Sequence, residues 1–286
     1  MNKKIIDIKE IDFSYDKKKN LLQDLSLTLD SGRIHGLLGK NGEGKSTLLK
    51  LISGLCFPKT GSIDVMGFEP AKRRPEMLED IFFLSEELPV ISISIRDFEK
   101  IYAPFYPAFS SERFEAYLKE FEIDSKDPLM TSLSHGQKKK VFIAFALATN
   151  VKLLLFDEPT NGLDIPSKAQ FRRMVASVIS DDNCLIVSTH QVRDLDGLID
   201  SIIVMDKHKI VFNETAESIG EKLLFKVADR NKETDSAVIY SEDTLHGIYQ
   251  LCENRMGEES KIDIELLFNA ITVEKQGVLK LFSKTS

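Results

Sequence analysis

The run Gly39-Lys40-Asn41-Gly42-Glu43-Gly44-Lys45-Ser46 fits the pattern G-x-x-x-x-G-K-[ST]. It lies between an apolar stretch, Ile34 to Leu38, and a helix-forming one, Ser46 to Ile52. A strand that feeds a glycine-rich turn into a helix start exposes backbone N–H groups that nothing inside the helix satisfies, with the positive end of the helix dipole behind them. Phosphate oxygens meet that need, so the context implies a nucleoside triphosphate. Gly39, Gly42 and Gly44 let the backbone wrap closely, Lys45 reaches the β and γ phosphates, and the Ser46 hydroxyl is suited to Mg²⁺.

At 286 residues and 42% hydrophobic content the chain can bury a large core, and we read it as one α/β domain with an appendage. No apolar run approaches the roughly 18 residues needed to cross a bilayer, so the chain itself is expected to be soluble. Asp7 and Glu10 interrupt any apolar segment near the start, which therefore does not read as a signal peptide. Cys56, Cys184 and Cys252 are odd in number and widely spaced, as befits reduced cytosolic thiols. A formal charge of −7 gives no general electrostatic footprint for nucleic acid, although it leaves room for a local basic patch.

Alternating apolar positions, Ile6, Ile8, Ile11, Phe13 and then Leu25, Leu27, Leu29, predict antiparallel strands ahead of the phosphate loop. Between Pro89 and Thr131 the spacing turns helical (Phe98, Ile101, Tyr102; Phe114, Tyr117, Leu118, Phe121), which suggests an inserted helical subdomain over about 88–149. From Val141 the order becomes helix, strand (Leu153 to Phe156), helix (Phe171 to Ile179), strand (Leu185 to Ser188), the alternation of parallel βα units. The predicted fold is thus α/β, a P-loop nucleotide-binding fold with a mostly parallel core sheet, an N-terminal antiparallel β subdomain, the helical insertion and a small C-terminal extension. The domain division is 1–214 and 215–286, with a strand at Ala237 to Tyr240 and a helix at Ile264 to Ile271 in the second part.

Leu153-Leu154-Leu155-Phe156-Asp157-Glu158 is an apolar run closed by two carboxylates, so a buried strand delivers both acids to the end of the sheet that carries the phosphate loop. Asp157 is placed to hold Mg²⁺ through its water shell and Glu158 to accept a proton from an attacking water. Leu133-Ser134-His135-Gly136-Gln137 opens a further helix, where Ser134 and Gln137 form a capping box and the same N–H groups remain open to an anion. Lys138 to Lys140, just beyond, read as a solvated face.

Together these residues resemble the ATP-binding cassette (ABC) of transporters. The Walker A loop is Gly39 to Thr47, an LSGGQ-like signature is Leu133 to Gln137, Walker B is Leu153 to Glu158, the D-loop is Asn161 to Asp164, and a switch histidine, His190, follows Ile186 to Thr189. The resemblance covers about residues 4–213. It implies ATP as substrate with Mg²⁺, and an ATP site lined by Gly39, Asn41, Gly42, Gly44, Lys45, Ser46 and Thr47, with Tyr15 stacked on adenine. It implies Glu158, His190 and Lys45 as catalytic groups, and Ser46, Asp157 and Glu86 around the metal. It further implies a head-to-tail homodimer in which Ser134, Gly136 and Gln137 of one copy close over the γ-phosphate held by the other. A separate transmembrane permease would hold the dimer at the inner face of the cell membrane.

Two positions depart from the family pattern. Glu86, in Ser85-Glu86-Glu87, stands where a glutamine is usual, so an amide donor is exchanged for charge, and Mg²⁺ dependence is still expected. His135 replaces the first signature glycine. The stretch Tyr102 to Phe121 and the tail around Ile262 to Ile271 are most like bacterial ABC-2-type exporter cassettes, which places the permease contact near Glu86 to Phe98. A soluble ABC ATPase without a membrane partner is the runner-up, and a nucleotide-gated scaffold that never hydrolyses ATP is the third reading.

Overall fold

The computed structural model describes residues 3–16, 21–228, 237–245 and 247–282. Its chain begins with three strands, β1 (Lys4–Phe13), β2 (Leu22–Asp30) and β3 (Arg33–Leu38), then the phosphate loop and α1 (Lys45–Ile52). Next come β4 (Thr60–Val65), a short α2 (Pro75–Leu78) and β5 (Ile81–Leu84). Alternation along β1 and β2 buries Ile6, Ile8, Ile11, Leu25, Leu27 and Leu29 on one face. The two strands pair antiparallel and β4 joins β1's other edge, giving the order β2-β1-β4. The expected antiparallel preface is present, with β4 as a strand that the sequence pattern did not announce.

The insertion carries α3 (Ile95–Tyr102), α4 (Ser111–Glu120) and the first part of α5 (His135–Ala148). Ser94 and Ser110 cap α3 and α4, each accepting from the backbone N–H three residues on. Every residue from Val141 to Ala148 in α5 is buried, as an all-round apolar helix requires. Its Phe145 is the hub of an aromatic cluster, with ring centroids 4.8 Å from Phe98, 4.9 Å from Phe109 and 5.7 Å from Phe114.

Beyond α5 the chain forms β6 (Leu153–Asp157), α6 (Ile165–Val178), β7 (Cys184–Thr189), β8 (Ser201–Asp206) and β9 (Lys209–Thr215). With β3 and β5 these make a six-stranded sheet, β5-β6-β7-β3-β8-β9, parallel except for β9. The parallel strands are apolar on both faces because helices and the N-terminal sheet cover them, and β6 and β7 are buried at every position. Their registers matter most: Leu84 pairs with Phe156, Asp157 with Ser188, and Leu38 with Thr189. The carboxyl ends of β5, β6, β7 and β3 therefore reach one edge of the sheet.

The remaining elements are α7 (Ala216–Lys222), β10 (Leu223–Ala228), β11 (Val238–Thr244), β12 (Gly247–Glu253), α8 (Ile264–Val273) and α9 (Lys275–Phe282). Strands β10-β12-β11 form a small antiparallel sheet, of which only β11 and the helix α8 were legible in the sequence. Leu267, Ala270 and Ile271 of α8 pack in one core with Leu38, Ile202 and Val204 of the main sheet. Residues 229–236, 246 and 283–286, parts of the extension 215–286 expected from the sequence, lie outside the described residues, as do Met1 and Asn2 of the N-terminal stretch that does not read as a signal peptide.

Removing the Phe145 ring would leave a void that five aromatic neighbours cannot close. Phe145→Ala is expected to destabilise the chain by about 3–5 kcal/mol, read as a lowered urea midpoint.

Candidate functional site

Gly44, at φ 106, turns the phosphate loop into α1, and no side chain caps that helix start. A Cβ on Gly42 would meet nothing within 4 Å, so the loop encloses open space at this point. Around it Asn41, Gly42, Gly44, Lys45, Ser46, Thr47, Glu86 and Glu158 line a cavity of about 260 Å³ together with Leu21. Free N–H groups, a helix N-terminus and a lysine on one concave wall suit a phosphate chain.

Lys45 is buried, and burial pushes its ammonium below the usual lysine range. Its Nζ donates to the carbonyl oxygens of Gly39 at 2.7 Å and Lys40 at 3.2 Å, and stands 3.9 Å from Glu158 Oε1. Gly39 packs so closely on Met205 that a Cβ would lie 2.9 Å from the Met205 carbonyl oxygen. Tyr15 lies beside the loop with its ring 65% exposed, its hydroxyl 3.0 Å from Thr47 Oγ1, and Phe13 set edge-on behind it. An exposed aromatic face fixed at the loop's rim is available to a flat base.

The two acids leave β6 in different environments. Asp157 is buried and accepts a hydrogen bond from Ser188 Oγ on the neighbouring strand. Glu158 adopts a left-handed backbone, φ 47, uncommon for a residue with a side chain. Both its carboxylate oxygens are engaged: Oε1 accepts from His190 N at 3.0 Å and His190 Nδ1 at 2.8 Å, and Oε2 from Thr189 Oγ1 at 3.1 Å. Sequence positions 32 residues apart are thus in direct contact.

Ser46, Asp157 and Glu86 supply hard oxygen donors of the kind Mg²⁺ takes. Among the described residues no group of three or more His, Cys, Asp or Glu forms a metal site by itself. Ser46 and Glu86 line the cavity and Asp157 does not, so the residues present suit an ion that takes most of its shell from phosphate oxygens and water, Mg²⁺'s usual habit. Glu86 Oε1 also accepts from Asn161 Nδ2 at 3.0 Å, which ties it to the turn after Walker B.

Ser134, Gly136 and Gln137 do not line this cavity. They start α5 with Ser134 and Gln137 exposed, and the capping box is complete: Gln137 N donates to Ser134 Oγ at 3.2 Å and Ser134 N to Gln137 Oε1 at 2.9 Å. Gly136 packs against the turn at Gly162, where a Cβ would approach the Gly162 carbonyl oxygen to 2.9 Å. His135 is exposed at the same corner.

A family model for the ABC transporter matches residues 22–161. The chain is 32% identical over 214 residues to the ABC transporter ATP-binding protein NatA of Bacillus subtilis, covering 72% of this chain and 87% of that protein. It is 27% identical over 208 residues to the ABC transporter ATP-binding protein YtrB of the same organism, covering 72% and 70%. The chain belongs to the ABC transporter ATP-binding proteins. Among solved structures, an ATP-binding subunit of an ABC transporter superposes with a TM-score of 0.68 at 24% identity, covering 75% of this chain and 91% of that one, a likeness of fold.

The cassette therefore binds and hydrolyses ATP as a subunit of a transporter, and such subunits work with transmembrane partners. No helix among its described residues is long and apolar enough to cross a membrane. One expectation is corrected: the run Lys138 to Lys140 is not a solvated face. Lys139 is fully buried and donates through Nζ to the Glu158 carbonyl oxygen at 2.7 Å, while Lys138 and Lys140 are half-buried. The available signal was its position one turn before the all-apolar Val141 to Ala148. Sequence reasoning also passed over Ser188 and Thr189 as partners of the two acids. A larger cavity, about 730 Å³, lies away from these groups, between the stretch after His190 and the C-terminal elements.

Because Lys45 is the cavity's one lysine and already sheltered from water, its charge is unusually effective toward phosphate. Lys45→Met is expected to weaken ATP binding about thirtyfold, equivalent to about 2 kcal/mol, with the thermal midpoint unchanged. Equilibrium binding of a fluorescent ATP analogue reads this directly.

Proposed function

We propose that the cassette acts as a head-to-tail homodimer that closes on two ATP molecules and drives a separate permease. The observation that carries this reading is the convergence of the phosphate loop, Asp157, Glu158 and His190 on one sheet edge, with the signature residues facing outward from the same chain. One copy thus holds the triphosphate without any contribution from its own Ser134, Gly136 and Gln137. A second copy would supply them.

In this mechanism Gly39, Asn41, Gly42, Gly44, Lys45, Ser46 and Thr47 bind the phosphates and Tyr15 stacks on adenine. Glu158 accepts the proton of the attacking water, and His190 holds Glu158 and the γ-phosphate in mutual register. Ser46, Asp157 and Glu86 would hold Mg²⁺, which when bound neutralises developing charge on the phosphates. Loss of the γ-phosphate removes the charged partner of the signature helix and lets the halves part.

Residues 1–214 would form the nucleotide-binding domain, with its helical subdomain over about 88–149, and 215–286 an extension. Val90 and Phe105 are exposed apolar residues at 86% and 66%, within reach of a permease helix docking near Glu86 to Phe98. The subunit would thereby lie at the inner face of the cell membrane. Export is the proposed direction, on the sequence likeness of Tyr102 to Phe121 and the tail to ABC-2-type exporter cassettes.

Glu158→Gln removes the base while preserving shape, and is expected to trap an ATP-bound dimer visible by size exclusion. A variant that stays monomeric with ATP and Mg²⁺ contradicts the sandwich. Glu86→Gln keeps one oxygen toward Asn161 but loses the charge, so turnover should still need Mg²⁺ with at least a twofold shift in the half-saturating concentration. Superimposable Mg²⁺ titrations would strip the carboxylate of special meaning.

A further inference from the structure

Lys139 is 0% exposed, yet an ammonium in that position has been taken out of water at considerable cost. Burial depresses its pKa, and Glu86, Glu158 and Asp157 act from further off to raise it. Among the described residues it has no ion-pair partner; its bond is to the backbone carbonyl oxygen of Glu158 at 2.7 Å. A methionine would fill the same volume in α5 without desolvating a charge. The ammonium is therefore accounted for by what it holds, not by packing.

What it holds is a backbone turn that residues with a Cβ avoid. Glu158 has φ 47, and its neighbours pin the peptide on both sides: its N–H donates to the Ser188 carbonyl oxygen at 3.0 Å, and its own carbonyl accepts from Lys139 Nζ and, at 3.3 Å, from Asn161 N. The φ angle sets the direction of the Cα–Cβ bond. A return to negative φ would redirect the Cα–Cβ bond and swing the carboxylate away from Thr189 Oγ1 and His190, which it meets at φ 47.

We infer that Lys139 is a positioning residue for hydrolysis: its ammonium, carried on the helix that begins with the signature residues, locks the Glu158 backbone turn and so aims the carboxylate. This rests on Glu158 being the base, as proposed above. One consequence follows from connectivity alone. Ser134 to Gln137 would contact the nucleotide of the partner copy, while Lys139, on the same rigid helix, governs the glutamate that serves this copy's own nucleotide. Lys139 thus bridges the two composite sites through a single element.

The test uses the full chain and steady-state ATP hydrolysis for Lys139→Met and Lys139→Gln, with nucleotide affinity and thermal midpoint measured alongside. Lys139→Met is expected to lower kcat at least fivefold with KM for ATP within twofold of the parent. Lys139→Gln keeps an N–H donor and should turn over at least threefold faster than Lys139→Met. A kcat for Lys139→Met within fivefold of the parent, equal rates for the two variants, or a loss carried by KM overturns the inference. Should Lys139→Met fail to fold, Lys139→Gln against the shorter Lys139→Asn makes the same comparison, and equal rates again overturn it. Glu158→Gln separates the two levels: parental turnover in that variant removes the reading of Glu158, whereas an inactive Glu158→Gln beside a normal Lys139→Met removes only the role of Lys139.

Discussion

Parallel pairing of β6 with β7, and of β7 with β3, sets everything else at the site. Asp157 lies opposite Ser188 and Leu38 opposite Thr189, so the phosphate loop, the two acids and His190 leave the sheet at one level. Side chains alternate along a strand, so a slip of one residue would turn Asp157 to the opposite face and part it from the Ser188 hydroxyl. The register is protected because β6 and β7 are buried at every position and cannot shift without exposing apolar surface. Polar chemistry at the edge is thus anchored by an entirely apolar interior.

Much of that arrangement was legible in the sequence because it is periodic or spaced. The alternation in β1 and β2, the glycine loop and the apolar strands ending in Asp157-Glu158 and Ser188-Thr189 each carry a local signature. What was not legible depends on three dimensions. The Lys138 to Lys140 run looks like solvated charge; its place just before the all-apolar Val141 to Ala148 hints otherwise, but which lysine is inside is decided by the packing of α5 beneath the end of β6. Likewise, β10 and β12 lack the clear alternation that marks β1, since their partners beyond the sheet are α8 and the core of the main domain. The left-handed φ of Glu158 has no signal in residue type at all, because glycine, the usual marker, is absent there.

The C-terminal elements are mechanically close to the site without touching it. Helix α8 packs in one core with β3 and β8, and its Glu265 accepts from Arg193 Nε at 2.5 Å. Arg193 lies three residues beyond His190, in the turn Val192–Leu195 that buries Leu195. Lys261, just ahead of α8, makes a second ion pair with Asp196. Both pairs are exposed and contribute little stability alone. Their position, however, ties the chain downstream of His190 to elements beyond the parallel sheet, and the larger cavity opens between them.

The hydrogen bonds around Glu158 and Glu86 also limit how the site can move. Three donors orient the Glu158 carboxylate and still leave it a lone pair for a proton; the bonds from His190 Nδ1 and Thr189 Oγ1 come from side chains, and the bond from His190 N comes from the backbone. The side chain of Gln191, next to His190, is tied on both sides. Gln191 donates through Nε2 to Asn161 Oδ1 at 3.0 Å and accepts from Lys168 Nζ at 3.3 Å, while Asn161 donates to Glu86. Lys168 is itself fixed to Asp194 at 2.7 Å. This chain spans the turns after β5, β6 and β7, so a ligand that moved Glu86 would pull on Asn161 and then on Gln191. The carboxylate at position 86 accepts from Asn161 through Oε1, so its Oε2 would stay open to a cation. A glutamine there offers only one acceptor oxygen and would have to share it. The departure from the family pattern would therefore let one side chain hold the turn at Asn161 and still face a cation, where a glutamine would have to choose between them.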